Sequence, residues 1–246
     1  DLRELCRCAG VAFLQAEITG LDPAAGTLLL QGRPPLRYSA LSLDVGAQTA
    51  PGAAAPAQPV KPLEPFLAWL QRRLESPESP PTVAIRGGGA AAVELALALR
   101  ARGLRPELLL RGQGLQLGSA AAHRAAEGLL AQAGIPLCRG VDDQAAADLA
   151  CTGSRAPAWL AASGLPVQPG TGRVLTDASL LVQGAERLLA SGDCAVIASD
   201  PRPPAGVWAV RAAPLLAENL RRLHVEPPLP LRRWRPQRWA LQLLGD

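Results

Sequence analysis

Histidine is scarce in this chain. Of 246 residues only His123 and His224 are histidines, far apart and without a neighbouring cluster of Cys, Asp or Glu. That scarcity argues against a metal site of ordinary ligand spacing, and neither histidine has the partners of a Ser/His/Asp triad. Cysteine is also sparse and odd in number: Cys6, Cys8, Cys138, Cys151 and Cys194. A chain of this size with five cysteines does not read as a secreted disulfide framework. Cys6-x-Cys8 is too short for a zinc knuckle, and no Cys-x-x-x-x-Cys redox pair is present. Long apolar runs are missing too. The Ala/Leu stretch at 90–99 is interrupted by Glu94 and closed by Arg100 and Arg102, so no transmembrane helix is expected. The opening residues, DLRELCRCAG, lack the basic start and apolar centre of a signal peptide, and a cytoplasmic protein is expected.

What the chain has is apolar mass, 48% of its residues, enough for one large or two medium domains. The net charge of +4 is mild. Arginine clusters at 232–238, RRWRPQR, where it alternates with Trp. Such a segment could suit nucleic acid or a membrane surface. The favoured reading is a solvated tail that packs its tryptophans on the body of the protein. No nucleic-acid partner is expected, peripheral membrane contact stays open, and so does a homodimer.

Along the chain, LRELCRCAG reads as a helix end closed by Gly10. VAFLQAEITGLD, GTLLLQG and LRYSALSLDVG read as short β-runs separated by Asp-Pro and Gly. Residues 48–62 read as an Ala/Pro/Gly loop, and PFLAWLQRRL as a helix stopped by SPESPP. Residues 82–139 alternate strand and helix: TVAI, GGGAAAVELALALRARG, ELLL, SAAAHRAAEGLLAQAG, IPLC. That alternation implies parallel strands with crossover helices. Short strands return in ADLACTG, GRVLTD and RLLASGDCAVI. AVRAAPLLAENLRRL at 209–223 has helical apolar spacing, and the Pro-rich end is read as turning helical.

Gly87-Gly88-Gly89-Ala90-Ala91-Ala92 fits G-x-G-x-x-G/A between a strand and a helix. In that pattern the first glycine makes the turn, the second lets backbone approach a pyrophosphate, and the third small residue packs helix on sheet. The helix N-terminus then favours phosphate. The usual companion is an acid at the end of the second strand, roughly 20 residues on, for the ribose 2′-hydroxyl. Here Leu110 or Arg111 occupies that place. Two readings stay open: Arg111 meets a 2′-phosphate, or it is a loop arginine on a fold that binds nucleotide poorly. Arg86, directly before the glycines, stands where an apolar residue is expected.

LLASGDCA at 188–195, followed by AGVWAVRAAPLLAENL at 205–220, resembles the C-terminal flavin motif of the FAD-dependent pyridine nucleotide-disulfide oxidoreductases, including type II NADH dehydrogenase-like proteins. VELA at 93–96 and the Thr152-Gly153 turn fit the same pattern. DLRELCRCAG, ITGLDP, LSLDVGA, PVKP, APAWLAASGL and RPQRWALQLL resemble, in order, the flavoprotein module fused to selenide, water dikinase. The resemblance implies an α/β fold of two Rossmann-like, three-layer domains, the second inserted in the first. An FAD-binding-type domain would comprise 1–60 and 148–222, an NAD(P)-binding-type domain 61–147, and a tail segment 223–246. It implies FAD and NAD(P)H as cofactors, with hydride passing from NAD(P)H through flavin to a small-molecule acceptor. No catalytic acid, base or nucleophile is needed for that step.

The same resemblance implies residue roles. Asp193, after Gly192, would accept from a ribityl hydroxyl. A helix beginning near Val210, Arg211 and Ala212 would aim its N-terminus at the flavin pyrimidine, where its dipole favours developing negative charge. Lys61 and Glu94 would lie near the flavin, or else be a solvated charge and a helix N-terminal acid. Gly46, Gly87, Gly89, Ala92, Arg111, Thr152 and Gly153 complete the expected cofactor-binding set. Cys194 reads as a packing residue, with a redox role the less favoured alternative. The family's first domain opens with its own strand–GxGxxG–helix for the ADP half of FAD. This chain resembles the family only from the middle of that domain onward, so an incomplete FAD site is expected. The competing reading is a degenerate, non-catalytic interaction module, in which selenium metabolism is one setting. A third, nucleic-acid binding through Arg232–Arg238, ranks below both.

Overall fold

The computed structural model describes residues 2–50, 57–75 and 81–235. The chain opens with helix α1 (Leu2–Cys8) and strands β1 (Ile18–Asp22), β2 (Thr27–Leu30), β3 (Leu36–Arg37) and β4 (Leu41–Leu43). Next come β5 (Gln48–Thr49), β6 (Gln58–Pro59), α2 (Leu63–Leu74), β7 (Thr82–Arg86), α3 (Ala90–Ala101) and β8 (Arg105–Leu110). Then follow α4 (Ala120–Gln132), β9 (Leu137–Arg139), β10 (Leu149–Ala150) and β11 (Ser154–Arg155). The chain continues with α5 (Ala158–Ala162), β12 (Val174–Thr176), β13 (Leu188–Ala190), a 3₁₀ turn (Gly192–Cys194), β14 (Ala195–Ile197) and α6 (Gly206–His224). Of the described residues, 2–46 and 156–235 form one compact unit and 47–155 the other.

The 47–155 unit is built on a five-stranded parallel sheet in the order β6-β10-β7-β8-β9. Its central strands are apolar because parallel strands are covered on their faces. Val83, Ile85, Leu108 and Leu149 are fully buried, and they share one core with Ala92, Val93, Ala96 and Leu99 of α3 and Ala126 and Leu130 of α4. Phe66 and Leu70 bring α2 into the same core. The small residues of α3 let it lie close to the sheet. Helix α4 starts where Ser119 accepts a hydrogen bond from the Ala122 N–H at 3.1 Å, a side-chain cap of the usual kind. Residues 48–49 and 58–59, expected as loop, instead form β5 and β6, because partners at β11 and β10 satisfy their backbone. Residues 51–56 and 76–80 lie outside the described residues.

In the other unit β1 and β2 form an antiparallel hairpin whose turn is closed by the Asp22 carboxylate accepting the Ala25 N–H at 2.9 Å. β4 pairs with β13 and β12 with β14, both parallel. Leu21, Leu43, Leu160, Val174, Val182 and Leu188 make the core between them. Two expectations are corrected here. Residues 11–17 are not strand, and Val11, Phe13 and Leu14 among them are exposed. Helix α6 begins at Gly206, earlier than the expected 209–210, directly after the Pro203-Pro204-Ala205 run. Residues 225–235 have no regular secondary structure, and the helical reading of 236–246 lies outside the described residues. The segment is nonetheless fixed. The buried Asn219 amide donates to Ser179 O and Arg232 O, and its oxygen accepts the Arg232 N–H, all at 2.8–2.9 Å. Trp234 is half-buried, which supports the packed-tryptophan reading for this part of RRWRPQR. No helix among the described residues is long and apolar enough to cross a membrane.

Candidate functional site

The glycine loop of the 47–155 unit joins β7 to α3. Gly87 donates its N–H to Leu109 O at 3.2 Å, and the neighbouring Arg86 O accepts the Cys151 N–H at 2.8 Å. The loop is thus anchored to the ends of β8 and β10. Gly87 has φ +146° and is packed so closely that a β-carbon would collide with the Cys151 carbonyl. A β-carbon on Gly88 would stand 3.1 Å from Leu110 Cδ2, and the Gly88 carbonyl accepts the Gln116 N–H at 2.7 Å. Gly89 is different: no heavy atom lies within 4 Å of where its β-carbon would be. It caps α3 with no side-chain hydrogen bond, and no acid occupies the first turn. Ala92 is fully buried against the sheet. Gly87 is therefore demanded by the protein's own packing, Gly88 is tight against Leu110, and Gly89 faces open space at a helix start with no side-chain cap. This arrangement fits a pyrophosphate.

The other expected residues of this unit surround the loop unevenly. Leu110 is buried and in contact range of Gly88, so it offers a ribose no polar group. Arg111, the next residue, has 76% of its side chain exposed and lies 3.6 Å from Asp143. Arg86 is buried, its guanidinium donating to Ala145 O, so it braces the loop that precedes β10. Glu94 is half-buried on α3. Lys61 donates its backbone N–H to Thr49 Oγ1, Thr152 donates its hydroxyl to Ala50 O, and Gly153 O accepts the Ala50 N–H. His123 accepts the Leu117 N–H at Nε2, a structural role.

In the other unit the Gly192–Asp193 turn follows β13, whose three residues are all buried. Ser191 N–H donates to Leu43 O at 2.9 Å, which locks the turn to the end of β4. Gly192 has φ +67°, and a β-carbon there would overlap the Asp44 carboxylate. Asp44 and Asp193 are thereby brought to neighbouring strand ends. Lost hydration, and then the Asp193 charge, hold the Asp44 carboxyl above the usual carboxylate range. Cys194 is fully buried with its Sγ 3.2 Å from Ser191 O, and burial pushes its thiol up to about 11. That supports a packing role.

Beside this turn lies a solvent-open cleft lined among others by Arg173, Ser191, Gly192, Trp208, Ala212 and Trp234. Arg173 is buried, donates from Nη1 to Arg202 O at 2.7 Å, and keeps a buried Nε without a partner. The Arg202 guanidinium sits 4.4 Å above the Trp208 ring, and that of Arg211 5.5 Å from it. Ala212 lines the cleft from within α6, whereas the helix N-terminus is formed by Ala205 and Gly206. Any dipole acting from this helix therefore acts from Gly206, and Arg211 sits more than a turn inside. Gly46 closes the segment after Asp44, with no heavy atom within 4 Å of its β-position.

Asp44, Arg173 and the Cys151 carbonyl were not anticipated from the sequence. Asp44 carried a signal, an acid at the end of an apolar strand ahead of Val45-Gly46. A buried arginine in TGRVL and a carbonyl contact 64 residues from its glycine carry none. Among the described residues no group of three or more His, Cys, Asp or Glu could hold a metal ion.

No family model and no curated protein matches the chain. Solved structures do. A FAD-dependent pyridine nucleotide-disulphide oxidoreductase from Desulfovibrio vulgaris superposes with TM-score 0.68 at 20% identity, covering 87% of this chain and 62% of that one. The water-forming NADH oxidase from Lactobacillus brevis, bound to NADH, gives 0.67 at 20% identity over 83% of this chain and 52% of its own. An engineered mutant of that enzyme, a water-forming NADPH oxidase bound to NADPH, gives 0.72 at 18% over 88% and 55%. The chain thus spans less than two thirds of the length of each of these neighbours. Its mixed α/β architecture with parallel sheets is the fold of the FAD-dependent pyridine nucleotide-disulphide oxidoreductases.

Proposed function

We propose that the chain carries the nicotinamide-dinucleotide site and a flavin-holding turn of an FAD-dependent NAD(P)H oxidoreductase acting on a small-molecule electron acceptor. The observation that carries this reading is the glycine loop. Gly87 and Gly88 are packed against Cys151 and Leu110, while Gly89 leaves open space at an uncapped helix start. The residues 47–155 would hold the dinucleotide, with Gly87, Gly89 and Ala92 shaping the phosphate cradle. In the other unit, Asp193 and Gly192 would hold the flavin ribityl chain, with the start of α6 and Ala212 beside the ring. FAD, when bound, supplies the hydride-accepting chemistry. The protein's part is to orient it, exclude water and set local charge, for which Asp44 and Arg173 stand next to Asp193.

The neighbours named above support the reading, because a FAD-dependent oxidoreductase and two NAD(P)H oxidases share this fold. They also bear on the donor. The NADPH-bound enzyme is a mutant of the NADH-bound one, and its substitutions remove an aspartate and introduce two arginines. A few side chains, not the fold, thus separate the two donors.

The test is a visible absorption spectrum of the chain after incubation with FAD and removal of the unbound part, with dinucleotide binding measured in parallel. A retained flavin band bleached by NADH or NADPH supports the oxidoreductase. A protein that keeps no flavin and binds neither dinucleotide overturns it and leaves the non-catalytic module.

A further inference from the structure

Resting on that reading of the glycine loop, we propose that Arg111 makes the chain selective for NADPH by binding the phosphate on the adenosine 2′-position. The position of Arg111 follows from the sheet. β7 and β8 run parallel with Arg86 opposite Leu109, and Gly87 donates to Leu109 O. The residues just past β8 are therefore beside the glycine loop. The chain then returns to it, because Gln116 N–H donates to the Gly88 carbonyl at 2.7 Å. Arg111 opens this short 111–116 segment. In a strand–loop–helix–strand nucleotide fold, the adenosine ribose lies at the end of the second strand, which here is β8.

A free 2′-hydroxyl at that place is best met by a carboxylate acceptor; a 2′-phosphate is best met by a guanidinium. The end of β8 has no carboxylate. Leu110 is turned into the core, and Arg111, Gly112 and Gln113 follow it. The acid beside Arg111 is Asp143, at 3.6 Å, with both side chains substantially exposed. That separation is longer than a direct charge-assisted hydrogen bond, and an exposed pair of this kind holds its partners weakly. The guanidinium is free to leave it for a phosphate, which offers three acceptor oxygens and suits a bidentate fork. The neighbouring cation Arg139, opposite Leu110 in register, is already 2.8 Å from Glu127. The phosphate accordingly falls to Arg111.

The experiment is equilibrium binding to the full chain, by calorimetry, of 2′,5′-ADP against 5′-AMP and of NADPH against NADH. The phosphorylated member of each pair is expected to bind about tenfold more tightly or better. Arg111→Ala should erase that difference while leaving the melting temperature unchanged, since the side chain is largely exposed. Arg111→Lys should recover part of it, and Asp143→Asn should widen it by removing the competing carboxylate. Equal binding of the two members, or a difference that survives Arg111→Ala, overturns the inference and leaves the proposed function standing. So does weaker NADH binding in Asp143→Asn, which would make Asp143 the ribose acceptor. Failure of every nucleotide to bind overturns both.

Discussion

Gly87 and Cys151 are in such close backbone contact that the space a side chain would need is occupied by the Cys151 carbonyl oxygen. The contact joins the loop after β7 to the end of β10, two strands that pair in parallel with Leu149 opposite Ile85 and Ala150 opposite Arg86. It places the turn of the candidate phosphate cradle on rigid sheet rather than on mobile chain. The glycine is needed twice over, for its φ of +146° and for the missing β-carbon.

Gly87→Ala should therefore destabilise the fold by about 2–4 kcal/mol, the sum of a strained backbone and a backbone clash. Gly89→Ala should cost less than about 1 kcal/mol, because nothing lies within 4 Å and φ is an ordinary −82°. Under the proposed function, however, Gly89→Ala should weaken dinucleotide binding by narrowing the cradle. Urea unfolding and nucleotide titration of both variants separate the two effects. Equal stability losses would show that Gly89 is a folding residue like Gly87.

The contrast between these glycines shows what could be read in advance. The β7–α3–β8–α4–β9 series was legible because its signals are local: an apolar strand, a glycine turn and an Ala/Leu-rich helix. The roles of the glycines were not, since they depend on Cys151 and Leu110, which the sheet order brings alongside. Arg86 looked out of place as an apolar position and proves to be buried but satisfied through Ala145 O. The start of α6 was misplaced because Pro203-Pro204-Ala205 offers no capping side chain to mark it. Asp193 stood out beside its glycine, whereas Asp44 and Arg173 reach it only through tertiary pairing of β4 with β13 and β12 with β14.

Asn219 provides a check on the segment that carries Trp234. Its amide is fully buried and makes three hydrogen bonds, two of them donated. Asn219→Ala strands the Ser179 carbonyl and both backbone groups of Arg232. The expected loss is about 2–3 kcal/mol, with red-shifted tryptophan fluorescence as Trp234 leaves its half-buried place. An unchanged emission maximum together with unchanged stability would mean that the segment is held by other contacts.

Thiol chemistry should follow burial. Burial pushes Cys151 and Cys194 up to about 11, so at pH 8 only about a thousandth of either is thiolate. Cys8 is free and exposed. Brief alkylation of the native protein with iodoacetamide, read by peptide mass spectrometry, should label Cys8 and spare Cys151 and Cys194 until denaturant is added. Rapid native labelling of Cys194 would contradict its packing role and reopen a redox one.

The paired carboxylates make a prediction with a definite sign. Lost hydration and the Asp193 charge raise the Asp44 carboxyl in the folded state above its ordinary value of 3.8. Over the window between those two values the folded chain keeps a proton that the unfolded chain has released. The contribution of Asp44 to stability is thus complete below about 3.8 and declines as pH rises through the folded value. Asp44→Asn keeps the side-chain shape and removes the charge. Its stability relative to the parent should be near zero at the acid end of the titration, turn favourable as pH rises from about 3.8 towards the folded value, and level off above it. Paired urea titrations from pH 3.5 to 7 measure this. A variant that loses ground as pH rises would show that ionised Asp44 is stabilised by partners stronger than the repulsion from Asp193, and would reverse the electrostatic reading of this turn.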